Sequence, residues 1–343
     1  MRSSLLRMLT VVLTLLPPTA MAAPVKLKLS FFTSDRSIAY QMAVKPFVDA
    51  VNRDGKGLIE IDVYFSGALG RVQRELPQQV RSGVADIAFI VPGQNPDVFT
   101  DNVVVELPGL FHDVREATLT YTRLVAAGAL AGYQDFVVIG AYGTAPEIIT
   151  SRKPLKTLAD LKGQKIRVNN ATEGKAVAKL GATPVPLAFN ETSPAIASGA
   201  IDGATVAGAQ LFDVGFGSLT TNHYLLGTSP APLALVMNRK VFDGLPAEAK
   251  TLITKYSGEW TAQQYIQAYE DFDKTVTEQI KMDPRRKVAS PSPDDRAAAQ
   301  KAFAEIVDTW AAADARHMQL LKLAETMLAK IRADKTPAPV ERH

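Results

Sequence analysis

Val25-Lys26-Leu27-Lys28-Leu29-Ser30-Phe31 alternates apolar and polar residues without a break, the period of a half-buried strand. The segments after it set the fold class. Residues 38–52 place Met42, Val44, Phe47, Val48 and Val51 on one helical side. Residues 58–65 alternate again, Ser66-Gly67-Ala68-Leu69-Gly70 reads as a turn, and a helix runs from there to about residue 81. Residues 84–91 form a short apolar strand ended by Pro92-Gly93. Strand, helix, strand, helix, strand predicts a parallel sheet with crossover helices.

The pattern then repeats. Strands fit 136–142, 164–168, 183–187 and 203–206, with helices at 158–163, 172–180 and 193–198. Two consecutive βα arrays predict two α/β lobes rather than one large sheet. Residues 233–237 are a further apolar strand. From 247 to 282 there is no proline and one glycine, Gly258, so a single helix long enough to lie across both lobes is expected. Residues 292–331 are helical and alanine-rich, and the proline-containing tail 335–343 is expected to be disordered.

Upstream, Arg2 and Arg7 precede a short apolar run at 9–16, then Pro17-Pro18 and Ala20-Met21-Ala22. That order is a cleavable secretory signal peptide over residues 1–22 and implies export to the periplasm. No later stretch reaches the roughly 18 apolar residues of a membrane span. The 343 residues include no cysteine, which excludes disulfides and thiolate chemistry, and the net charge of +3 shows no basic stripe for nucleic acid.

Catalytic signals are missing as well. His112, His223, His317 and His343 stand in no metal-binding spacing, so no metal or other cofactor is expected. No G-x-S-x-G, G-x-G-x-x-G or P-loop occurs. Asp86 and Asp202 could pose as paired carboxylates, but each precedes an apolar strand and reads equally well as a turn contact.

At Asp160-Leu161-Lys162-Gly163-Gln164-Lys165-Ile166-Arg167-Val168 the chain resembles the solute-binding proteins of tripartite ATP-independent periplasmic (TRAP) transporters, of the DctP type. Tyr64-Phe65-Ser66-Gly67-Ala68-Leu69-Gly70, Arg81-Ser82-Gly83-Val84-Ala85-Asp86, Glu106-Leu107-Pro108-Gly109-Leu110-Phe111 and Ala200-Ile201-Asp202-Gly203 are similar to other segments of that family, in order. The resemblance implies an α/β, two-lobed periplasmic binding protein (Venus flytrap) fold with a long helix spanning both lobes. It implies lobe I over 23–145 plus about 232–272, and lobe II over 146–231 plus about 273–334. It also implies a binding protein, not an enzyme, that hands a small organic acid to small and large membrane subunits. The alternative from another class is a periplasmic two-lobed enzyme acting on a small carboxylic acid, which would need a nucleophile or base beside Arg167.

By the same resemblance, Arg167 would grip the ligand carboxylate. The physics agrees, since a guanidinium offers a planar fork of donors matched to a carboxylate, and Arg167 ends a strand where α/β ligand sites lie. Asn170 matches a polar ligand contact, or else caps the next helix. Phe189 matches an aromatic packed on the ligand, or else is core. Phe32 and Ser34, in the turn after the first strand, and Gln94, after the third, fall on the same rim. Two positions depart from the family. Glu147 stands where many members carry a second arginine, and Val206 where many carry asparagine, shortly before Gln210. These point away from a polyhydroxylated sugar acid and toward a monocarboxylate, zwitterionic, apolar or aromatic, with a dicarboxylate still open if another part of the rim holds its second group. Glu147 could receive an ammonium, amidine or hydroxyl group, or pair with Arg167 or Arg152.

Overall fold

The computed structural model describes residues 23–334; the expected signal peptide and the C-terminal tail lie outside them. The first four strands are β1 (Val25–Ser30), β2 (Ile59–Tyr64), β3 (Ile87–Ile90) and β4 (Phe136–Gly143). Then come β5 (Ile148–Ser151), β6 (Lys165–Val168), β7 (Thr183–Pro186), β8 (Gly203–Val206) and β9 (Asn222–Tyr224). The strand β10 (Pro232–Asn238) returns to the first group, and β11 (Lys287–Ala289) to the second. Two sheets result, ordered β2-β1-β3-β10-β4 and β11-β9-β5-β8-β6-β7. Each is the centre of one lobe, so the molecule has the two-lobed α/β architecture expected.

The helices are α1 (Lys45–Asp54), α2 (Leu76–Ser82), α3 (Val114–Ala126), α4 (Ala171–Lys179), α5 (Phe189–Ser198) and α6 (Phe216–Leu219). They continue with α7 (Arg239–Gly244), α8 (Ala247–Lys255), α9 (Glu259–Met282), α10 (Pro293–Ala313) and α11 (Ala315–Ala333).

The first sheet is mixed where a parallel one is predicted. β1 runs parallel to β2 and β3, but β10 inserts antiparallel between β3 and β4. All seven β10 residues are buried, which is why residues 232–237 are an unbroken apolar run rather than an alternation. Asp86 and Asp202 do matching work in different lobes. Asp86 accepts the backbone N–H of Lys28 at 2.7 Å, and Asp202 that of Lys165 at 2.9 Å, so each ties a strand edge and the two never form a carboxylate pair.

The single helix predicted over 247–282 is two. Gly258 takes φ 65° and ψ −126°, a conformation open in practice to glycine, and its N–H leaves the helical ladder for the carbonyl of Ile139 at 2.8 Å. Beyond it α9 runs 24 residues, about 36 Å at 1.5 Å per residue. Ala262, Tyr265, Ile266 and Tyr269 pack into the core of lobe I, while Val276 and Ile280 pack with Val206, Leu211 and Phe216 of lobe II. This is the helix that spans both lobes.

The C-terminal helices correct one sequence boundary. Residues 273–334 are expected in lobe II, and α10 does begin there, with Ala299, Phe303 and Ile306 against the second core. Its end and α11 belong to lobe I. Ala311, Leu320, Leu321, Ala324, Leu328 and Ile331 join the first core, and Arg316 bonds Asp101 at 2.6 Å. An alanine-rich amphipathic pattern specifies a helix but not which of two apolar surfaces it covers.

Candidate functional site

β6 ends at Val168, with Asn169 and Asn170 next in the chain. The Asn170 side chain accepts the N–H of Glu173 at 2.8 Å and so caps α4. This cap fixes the end of the strand before it. Arg167 sits on the strand next to the sheet's β7 edge, between Val185 of β7 and Ala204 of β8, with 0% of its surface exposed. Its Nε donates to the carbonyl of Leu187 at 3.0 Å, and Nη1 makes a long contact of 3.5 Å with the carbonyl of Thr205. The second terminal nitrogen, Nη2, has no partner among the described residues. The Phe189 ring lies 5.9 Å from the guanidinium carbon, a cation–π distance.

Carboxyl groups crowd this guanidinium without forming an ion pair with it. Glu147, buried just before β5, accepts from the side-chain amide of Asn169 on both oxygens, at 2.7 Å each. Glu173 accepts from Thr205, Thr228 and the backbone of Asn169, at 2.8–2.9 Å. Burial and the neighbouring Glu173 push Glu147 well above the usual carboxyl range, against the pull of Arg167. Burial draws Arg167 below its ordinary value, opposed by Glu147, Glu173 and Glu191. Glu147 pairs with neither Arg167 nor Arg152; Arg152 and Lys153 both go to Asp202.

Two connected spaces lie between the lobes. The inner one, about 30 Å³, is walled by Phe32, Phe89, Val91, Phe189 and Leu233, with Gln73, Gln94, Glu147, Asn169 and Gln210 supplying polar atoms. The outer one, about 420 Å³, opens between Arg71, Gln73, Arg74 and Gln94 of lobe I and Asn169, Asn170, Leu187 and Glu191 of lobe II. Gln73, Gln94 and Asn169 line both. The inner space has room for a water or two and is too small for an organic acid.

The sequence-predicted residues thus sort by place. Phe32, Gln94, Glu147, Phe189 and Gln210 meet at the inner space, and Asn170 at the outer one. Arg167 lies one layer behind, under Phe189 and Leu187. Two do not arrive. Ser34 is exposed on its turn and lines neither space. Val206 faces away, into the core formed with Leu211, Phe216, Val276 and Ile280. The pleat explains this, because its neighbour Thr205 takes the site side and bonds Glu173.

Sequence reasoning misses three residues. Asn169 sits directly after the Lys165-Ile166-Arg167-Val168 strand, and its closeness to Arg167 is the one signal for it. Gln73, buried on a short 3-10 turn leading into α2, gives no signal. Glu106 of lobe I is fully buried against the start of α4. There a Cβ on Gly93 would overlap its Oε1 and stand 3.0 Å from the Cβ of Asn170. Burial and the charge of Glu173 raise Glu106 to about 8, against a hydrogen bond with Thr172.

Residues 29–314 match the sequence profile of the DctP family, the bacterial extracellular solute-binding proteins of family 7. The chain belongs to this family. A 2,3-diketo-L-gulonate-binding periplasmic protein of Escherichia coli is 29% identical to it over 268 residues, 75% of this chain and 79% of that one. Among solved structures, a TRAP solute-binding protein from an unidentified marine microbe, specific for aromatic acid ligands and holding 3-hydroxybenzoate, superposes with a TM-score of 0.84 at 26% identity. It covers 92% of this chain and 100% of that one. A TRAP solute-binding protein of Rhodoferax ferrireducens with copurified benzoate gives 0.82 at 25% identity, over 90% and 99% of the two chains. The DctP-type resemblance and the flytrap fold therefore hold, and the family's members are periplasmic solute-binding proteins.

Proposed function

We propose that this DctP-family protein is an exported receptor of a TRAP importer that takes an aromatic or similarly apolar monocarboxylate, with Arg167 as the carboxylate's partner. One observation carries the reading: Arg167 is a wholly buried guanidinium that, among the described residues, has no ion pair and one unpartnered nitrogen. A buried charge left without a counter-ion is strongly unfavourable, and an arriving carboxylate removes that penalty with two parallel hydrogen bonds. The rings of Phe32, Phe89 and Phe189 suit a flat apolar body better than a sugar. Glu147, held toward its neutral form, brings no positive charge to pair with a second carboxylate. The likeness to a receptor specific for aromatic acids and to one that copurified with benzoate supports the same class. On this reading the lobes part, Phe189 and Leu187 move off the guanidinium, and closure buries the acid for delivery to the small and large membrane subunits.

The test is a thermal-shift panel of benzoate, 3-hydroxybenzoate, succinate and galacturonate, followed by recovery of the bound compound. Aromatic monocarboxylates should raise the melting temperature and come back unchanged. A shift confined to succinate or galacturonate overturns the ligand class, and a chemically altered acid overturns the receptor reading in favour of an enzyme.

A further inference from the structure

Gln73 carries a second anomaly at the same site. Its side chain is 4% exposed, yet neither its Oε1 nor its Nε2 has a hydrogen-bond partner among the described residues. A buried primary amide with both ends empty is rare, because each unmade bond costs about 1–3 kcal/mol. The amide is not in a sealed core either: Gln73 lines both the inner and the outer space. It belongs to lobe I, on the 3-10 turn Gln73–Glu75, whereas Arg167 belongs to lobe II. The two unsatisfied polar side chains therefore belong to opposite lobes, Gln73 lining the interlobe space and Arg167 one layer behind it under Phe189 and Leu187.

We infer that Gln73 is a specificity-determining residue that selects acids bearing a neutral hydroxyl or carbonyl group at the end away from the carboxylate. This rests on the reading of Arg167 as the carboxylate's partner. An amide both donates and accepts, so it satisfies a hydroxyl completely and a carbonyl by its N–H, but brings no charge for a second carboxylate. Sites built to hydrogen-bond a hydroxyl discriminate sharply against the analogue lacking it, because the site's own polar atoms are then stranded. An unsubstituted acid leaves Gln73 as it is in the closed protein. A hydroxylated acid joins Arg167 of one lobe to Gln73 of the other, so the distal group also favours closure.

The experiment is calorimetric titration of benzoate, 3-hydroxybenzoate and 4-hydroxybenzoate into the wild type and Gln73→Met, a substitution of equal length without the amide. The wild type should bind at least one hydroxy acid about tenfold or more tightly than benzoate, the worth of one good hydrogen bond. Gln73→Met should bring that ratio close to one by weakening the hydroxy acid far more than benzoate, and a cooperative melting transition like the wild type's shows that the variant is folded. Benzoate bound as tightly as both hydroxy acids by the wild type, or a preference that survives in Gln73→Met, overturns the role of Gln73 and leaves Arg167 standing. Failure of all three acids to bind the wild type overturns both.

Discussion

The side-chain nitrogen of Asn169 lies 2.7 Å from each carboxyl oxygen of Glu147, and those two residues form part of the wall of the inner space. The bond links the end of β6 to the entry of β5, so one amide holds together the ends of two strands and part of the polar wall of the site. Asn169→Leu strands a buried carboxyl and should destabilise the protein by about 1–3 kcal/mol. The double variant with Glu147→Leu should recover part of that loss. Urea unfolding of both checks it; equal stability of Asn169→Leu and the wild type would show that the bond contributes nothing.

Arg167→Met keeps most of the apolar stem and deletes an unpaired buried charge. The ligand-free protein should therefore be no less stable than the wild type. Affinity for an aromatic acid should fall by about a hundredfold or more, in line with about 3 kcal/mol for one partner of a buried charge pair. Melting curves with and without benzoate read both effects at once. A thermal shift equal to the wild type's would place the carboxylate elsewhere.

Glu106 makes stability depend on pH. Its folded pKa of about 8 lies above the ordinary 4.5, so between these values the folded protein holds a proton that the unfolded chain has released. Its contribution is full below 4.5 and is lost as pH rises to about 8, at up to about 1.4 kcal/mol per unit. Glu147, raised in the same direction, adds to the slope. Glu106→Gln should flatten the stability–pH curve across this window by about one proton. Parallel curves for the two proteins would contradict it.

Val206→Ala should act on the fold and not on the ligand. Val206 is 1% exposed in the small core beneath α9, so the truncation should cost about 1–3 kcal/mol. Acid affinity measured well below the melting temperature should stay within a factor of two, whereas a change in ligand preference would restore Val206 as a selector.

The strands and most helices are legible because burial writes a period into sequence. β1 and β2 show alternation, and β10 shows its absence. The partners of those elements are not legible. Nothing local in Leu233-Ala234-Leu235-Val236-Met237 says that it enters the first sheet antiparallel, and nothing in residues 315–333 says which lobe they cover. The site shows the same division. Arg167 stands out through the segment around it, and Phe189 and Glu147 through their spacing from it. Gln73 reaches the cleft from lobe I, and Glu106 packs behind its wall at Gly93, only through the tertiary fold. Val206 misleads because facing is set by strand register, which a single position does not reveal.

Within the described residues the chain starts in lobe I with β1 and finishes there with α11, having crossed at 143–148, at 224–232, along α9 and along α10. Fluorescent dyes placed at the two ends would therefore ride on the same body, and energy transfer between them would stay constant however far the other body swings. If the proposed receptor closes on its acid, a working sensor needs one dye on lobe I and one on an exposed α4 position such as Lys175, and a pair of dyes at the two ends of the described residues would be silent.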